Sequence, residues 1–90
     1  MPQRTTDTIL LVATIRFFAQ AREATGVGST TMSGSTVAEV LNNAVEAYGP
    51  ALRAVLDISK VWVNGEEVPH SHAVGDKDEV AVLPPVSGGM

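Results

Sequence analysis

Thr36-Val37-Ala38-Glu39-Val40-Leu41-Asn42-Asn43-Ala44-Val45-Glu46-Ala47-Tyr48-Gly49-Pro50 carries the strongest local pattern in the chain. Thr36 and Glu39 stand three apart, so the Thr36 hydroxyl can accept the Glu39 backbone N–H while Glu39 reaches back, as in a capping box. Behind that start, Val37, Val40, Leu41, Ala44, Val45 and Tyr48 fall on one helical stripe, with Asn42, Asn43 and Glu46 on the other side. Gly49 ends the helix, and Pro50 opens a second short one whose Leu52, Val55 and Leu56 can join the same core. A single amphipathic helix needs a sheet to cover, and the flanking sequence supplies one.

Upstream, Thr8 to Phe17 is β-branched and aliphatic and reads as a central strand buried on both faces. Phe18 to Thr25 switches to helix formers for one or two turns, and Gly26 stops them. Ser29 to Ser33 suits an edge strand, after which Gly34 turns the chain. Downstream, Lys60 to Asn64 is a strand, Asn64-Gly65 is a hairpin turn, and Glu66 to Val68 is a short return strand cut off by Pro69. His70 to Val74 is irregular, and Gly75-Asp76 leads into a last strand, Asp78 to Leu83. The order is two strands, a helix-bearing crossover, then two or three more strands. It predicts an α+β domain: a mixed sheet of four or five strands covered on one face by one main helix plus short helices, which is the β-grasp or ubiquitin-like roll.

Ninety residues make a single domain, 1–90, with a loose polar start at 1–7 and an extended tail at 84–90. The chain is 44% hydrophobic and 18% charged, in the range of a folded rather than a disordered protein. Without cysteine there is no disulfide, thiolate metal site or cysteine nucleophile. A net charge of −4 argues against nucleic acid and anionic membranes and favours a basic partner surface. Arg4 precedes the apolar Ile9–Ala13, but Arg16 interrupts any longer run. That is too short for a signal core or a membrane span, so the segment is expected to be a strand and the protein cytoplasmic.

The chain closes with Pro84-Pro85-Val86-Ser87-Gly88-Gly89-Met90. Proline gives no N–H to a ladder, so the last strand must stop and the chain leave the body extended. The six residues from Pro84 to Gly89 can reach about 20 Å at most, and Gly88-Gly89 carries no side chain that would keep it out of a narrow slot. A tail made for insertion into another protein and a frayed terminus of small residues both fit this composition.

Three stretches together resemble the MoaD/ThiS sulfur-carrier family, most closely its molybdopterin-synthase branch. They are Phe17-Phe18-Ala19-x-x-Arg22-Glu23-x-x-Gly26, Gly34-x-Thr36-Val37-x-Glu39-Val40-Leu41, and Leu83-Pro84-Pro85-Val86-Ser87-Gly88-Gly89. The resemblance implies a carrier, with catalytic residues on partners. An adenylating enzyme related to ubiquitin-activating enzymes (MoeB-like) spends ATP to activate the Gly89 carboxylate. A sulfur donor converts it to a thiocarboxylate, and the tail then enters the large (MoaE-like) synthase subunit for dithiolene formation. On this reading Gly89 is the acyl site, Gly88 its slender neighbour, and Phe18, Arg22, Pro84, Pro85, Val86 and Ser87 meet the partner. No cofactor or metal is bound. Met90 departs from the family ending at the second glycine and is expected to be removed by a peptidase. A carrier for thiazole or cysteine synthesis, or a ubiquitin-like modifier joined to targets through Gly89, are the alternatives.

Other residues read as structural. His70 and His72 form a solvated loop, and Asp76, Asp78 and Glu79 a solvated hairpin rim. Of Phe17 and Phe18, one faces the core and the other an apolar patch where a partner docks. Trp62, which alternates with Val61 and Val63, is assigned to the core.

Overall fold

The computed structural model describes residues 12–85. Its elements are β1 (Val12–Phe17), α1 (Ala19–Thr25), β2 (Ser29–Ser33), α2 (Val37–Tyr48), α3 (Pro50–Leu56), β3 (Lys60–Val63), β4 (Glu66–Glu67) and β5 (Glu79–Leu83). The five strands form one sheet in the order β2-β1-β5-β3-β4. β1 and β5 run parallel and every other pair is antiparallel. This is the mixed, singly covered sheet expected from the sequence.

Side chains alternate across the sheet, and one set is interior. Ala13, Ile15 and Phe17 on β1, Val80 and Val82 on β5, and Val61 and Val63 on β3 are all buried. Val37, Val40, Leu41 and Ala44 of α2 pack over them, joined by Ala21 of α1 and by Leu52 and Leu56 of α3. Phe17 meets Tyr48 edge to face, with ring centroids 6.0 Å apart. β1 is therefore buried on one face only. The expectation of two buried faces fails because the helices form a single layer, leaving Thr14 part-exposed and Arg16 exposed on the reverse. The expected β1 residues Thr8 to Leu11, the loose start at 1–7 and the tail from Val86 onward lie outside the described residues.

The helix start is built as the pattern required, with one change. Thr36 Oγ1 accepts the Glu39 N–H at 3.2 Å. Glu39 Oε1 accepts from the Ser35 N–H at 2.8 Å and the Ser35 hydroxyl at 2.9 Å, one residue earlier than the capping-box partner. These bonds hold the Glu39 carboxyl below its ordinary range, the Ser35 N–H most of all. Two further helix-start donors, Val37 N–H and Ala38 N–H, are taken by the carbonyls of His72 and His70, each at 2.9 Å. The irregular His70–Val74 loop thus caps α2 with its backbone, pinned by buried Val74. Gly34 makes the turn before it at φ +146°, where an added Cβ would lie 2.8 Å from Val40. That contact seats the helix directly on the chain leaving β2.

Candidate functional site

The chain leaves the body at the end of β5, the middle strand. Pro84 is buried and Pro85 is the first exposed residue. The tail therefore begins one residue later than its prolines suggested, and Pro84 belongs to the body rather than to an exposed contact surface. Val86, Ser87, Gly88, Gly89 and Met90 lie outside the described residues.

Two ladders frame this exit. The parallel register matches Phe17 with Val82, so Phe18 stands beside the strand end, while Lys60 pairs with Leu83 on the other flank. Phe17 is 2% exposed and Phe18 40%. One of the adjacent rings is thus core and the other surface, as their alternation required. Ala19 has φ 51°, a left-handed conformation uncommon for a residue with a Cβ. It turns the chain sharply from β1 into α1 and leaves Phe18 outside; nothing in the sequence marks it.

Beside the exit is an open groove of about 510 Å³ lined by Thr14, Arg16, Phe18, Arg22, Ser29 and Glu79. The Arg16 guanidinium lies 5.7 Å from the centre of the Phe18 ring and bonds Glu79 at 3.3 Å. Arg22 rests against Gly28, where a Cβ would come within 3.8 Å of its guanidinium. Among the described residues Arg22 has no ion-pair partner. Arg22 and Phe18, singled out in the sequence, are thus brought to the same groove as Arg16.

The uncovered face of the sheet continues this surface. Trp62 lies there, half-buried, opposite Ala81 on one side and Glu67 on the other. Its assignment to the core is corrected: Val61 pairs with buried Val82 and Val63 with buried Val80, so the valines take the interior parity. Ile58, at 58% exposure beyond α3, is a second exposed apolar side chain that the sequence reading missed.

The remaining polar cluster is at the other end of β5. Asp78 Oδ1 accepts the Asn64 amide at 2.8 Å and Oδ2 accepts the Gly75 N–H at 2.8 Å. Asn64 in turn accepts the Glu79 N–H at 3.0 Å. The Asn64 amide, then the Gly75 N–H, hold the Asp78 carboxyl below its ordinary range, with a small addition from the charge of His72. Asn64 (φ 52°) and Gly65 (φ 91°) make the expected left-handed hairpin turn, so this acidic rim clamps a turn. Among the described residues, no three of His, Asp and Glu gather as a metal site, and no helix is long and apolar enough to cross a membrane.

A mixed five-stranded sheet, gripped on one face by a helix and exposing the end of its middle strand, defines a ubiquitin-like β-grasp domain. The chain belongs to the ThiS family, whose model matches residues 15–89. It is 37% identical over 86 residues to the molybdopterin synthase sulfur carrier subunit of Arabidopsis thaliana, covering 92% of this chain and 88% of that protein. It is 35% identical over 78 residues to the Escherichia coli (strain K12) protein of the same name, covering 83% and 96%. Among solved structures it resembles SAMP1 from Haloferax volcanii, with a TM-score of 0.78, 30% identity and coverage of 87% and 99%.

Proposed function

We propose that this chain is the sulfur-carrying small subunit of a molybdopterin synthase, loaded as a thiocarboxylate on Gly89. The 35–37% identity to relatives named molybdopterin synthase sulfur carrier subunit carries this reading, supported by a family match that runs through Gly89. A carboxylate oxygen is a poor leaving group. Activation therefore consumes ATP on the adenylating enzyme, forming an acyl–AMP bond at Gly89 and releasing pyrophosphate. Sulfide-level sulfur from a donor then attacks the acyl carbon, so that a C–S bond forms as the C–O bond to AMP breaks and AMP leaves with that oxygen. Residues beyond Gly89, Met90 included, are removed first so that glycine bears the carboxylate.

Within this scheme the described residues bind and position. The exit beside Phe18, the Arg16–Arg22 groove and the Trp62 face present the tail to the large subunit, while the buried core keeps the body rigid behind it. The chain itself holds no cofactor, and loading takes place in the cytoplasm. Gly88 and Gly89 suit a slot too narrow for a Cβ.

The test is intact-mass measurement of a chain ending at Gly89 after incubation with an adenylating enzyme of this type, ATP and a sulfur source. Exchange of one oxygen for sulfur at the terminus is expected. Recovery of unchanged carboxylate, with the enzyme active on its own carrier, would overturn the proposal. The resemblance to SAMP1, a small archaeal modifier protein, favours a second reading in which Gly89 is joined to target lysines. The same incubation would then yield lysine-linked conjugates in place of the thiocarboxylate.

A further inference from the structure

The two edges of the sheet are finished differently. β4 is two residues long and both are glutamate, and a short, charged edge is one way natural sheets refuse an added strand. β2 is the five-residue Ser29-Thr30-Thr31-Met32-Ser33, with no charge, proline or glycine. Among the described residues no strand lies beyond it.

Its outward hydrogen-bonding groups follow from the ladder. The Phe17 N–H donates to the Gly28 carbonyl at 2.9 Å. Backbone polar groups alternate sides along an antiparallel strand, so Gly28, Thr30 and Met32 face β1 while Ser29, Thr31 and Ser33 face outward. In keeping with this, the Ser33 carbonyl accepts at 2.8 Å from the Asn43 side chain on α2 rather than from a strand. The Thr31 carbonyl receives only a long 3.5 Å contact from the Thr30 hydroxyl. Open backbone groups on an uncharged edge, here those of Ser29 and Thr31, are a template for another strand.

We propose that β2 pairs antiparallel with β2 of a second copy, about a two-fold axis through Thr31, joining two sheets into one. Thr31 then exchanges both backbone bonds with its own counterpart. Ser29 N–H reaches the second copy's Ser33 carbonyl, which has a second lone pair to offer. Thr30 and Met32 meet across the junction on the helix side, and Met32 already packs on the core.

Charge selects this occupant and this direction. The register ends with Ser29 opposite Ser33 of the second copy, which brings Gly28 of one chain near the turn at Gly34 of the other. Arg22 lies on Gly28, and Glu39 lies on Ser35, directly after Gly34, with Oε1 holding both serine bonds. Arg22 and the other copy's Glu39 are thus brought to the same end of the junction, where Glu39 Oε2 makes no hydrogen bond among the described residues. A parallel pairing would instead bring each Arg22 beside its twin. The junction lies two strands away from β5, and the two-fold sends the tails out at opposite ends, so both remain accessible.

One strand pair is smaller than the roughly 1,200–2,000 Å² of stable complexes, so dimers should form only at high concentration. Sedimentation equilibrium of the full chain should give the 9.4 kDa monomer when dilute and a mass rising toward twice that value at about 1 mM, given so small an interface. Thr31→Lys sets two ammonium groups on the axis and should hold the mass at the monomer value. Because the chain has no cysteine, Thr31→Cys introduces a unique thiol. That variant should cross-link to itself efficiently with a short bis-maleimide. Ser33→Cys should do so poorly, because the two copies of residue 33 lie about 14 Å apart along the strands. A monomeric wild type at every concentration, undiminished association of Thr31→Lys, or equal cross-linking at 31 and 33 would each overturn the pairing.

Discussion

The two faces of the sheet use the same strands for opposite ends. On the covered face, β1 contributes Ala13, Ile15 and Phe17, each at most 2% exposed, and no polar residue among the described ones is buried whole, although the Gln20 Oε1 of α1 is enclosed without a partner. On the reverse, the same strand presents Thr14 and Arg16, and β3 presents Trp62 between Ala81 and Glu67. The covered face is apolar and closed, which makes it a source of stability. The open face mixes an aromatic, aliphatic residues and charge without a covering layer, which is the composition of a docking surface. A large aromatic side chain should therefore matter to folding on one face and to association on the other.

The sharpest break of this contrast comes from Phe17. Phe17→Ala empties a site packed against Tyr48 and the sheet valines and should cost about 3–5 kcal/mol of unfolding free energy. Urea denaturation would read this as a lower midpoint at nearly unchanged slope. Trp62→Ala removes a larger ring from the other face, yet should cost less than Phe17→Ala in the same assay, since no helical layer closes over that half-buried side chain. Its effect should appear instead in binding to a synthase large subunit, weakened about tenfold or more if Trp62 anchors the interface. Equal destabilisation by the two changes would mean that the faces are not functionally separate.

Much of the body was legible because periodicity is a property of side chains. The α2 stripe, the Thr36 cap and the Asn64-Gly65 turn each use a side chain or a glycine conformation that sequence displays directly. Trp62 was misplaced because alternation divides β3 into two parities without saying which is interior. That choice is made by the register with β5, a contact between residues about twenty positions apart. For β1, the apolar run hid an alternation of Ala13, Ile15 and Phe17 with Thr14 and Arg16. The capping of α2 by the His70–Val74 loop has no sequence signal because it works through carbonyls, which every residue possesses. At the candidate site, the motif marked Phe18 and Arg22. The turn at Ala19 that exposes Phe18 and the burial of Pro84 depend on packing and have no local signal.

The smallest expected effect concerns two carboxylates that secure the ends of the covered layer. Glu39 and Asp78 both have folded pKa values below their ordinary 4.5 and 3.8, so their bonds favour the folded state when ionised. A lowered folded value means that this contribution is complete above the unfolded pKa and is lost as pH falls through the folded one. Stability should therefore hold from neutral pH to about 5 and decline below it, as each carboxylate takes up its proton. Glu39 is exposed and Asp78 only part-buried, which keeps the change modest. Asn64→Ala separates the causes, because the Asn64 amide is the largest influence on Asp78 and does not touch Glu39. The variant begins less stable, having lost its bond to the Glu79 N–H, but its urea midpoint should fall less steeply between about pH 5 and 3. Ser35→Ala leaves Asp78 alone and removes only the hydroxyl from Glu39, whose principal bond is to the Ser35 backbone, so its acid slope should stay closer to wild type. An acid slope in Asn64→Ala as steep as in the wild type would show that the hairpin clamp does not hold the Asp78 charge.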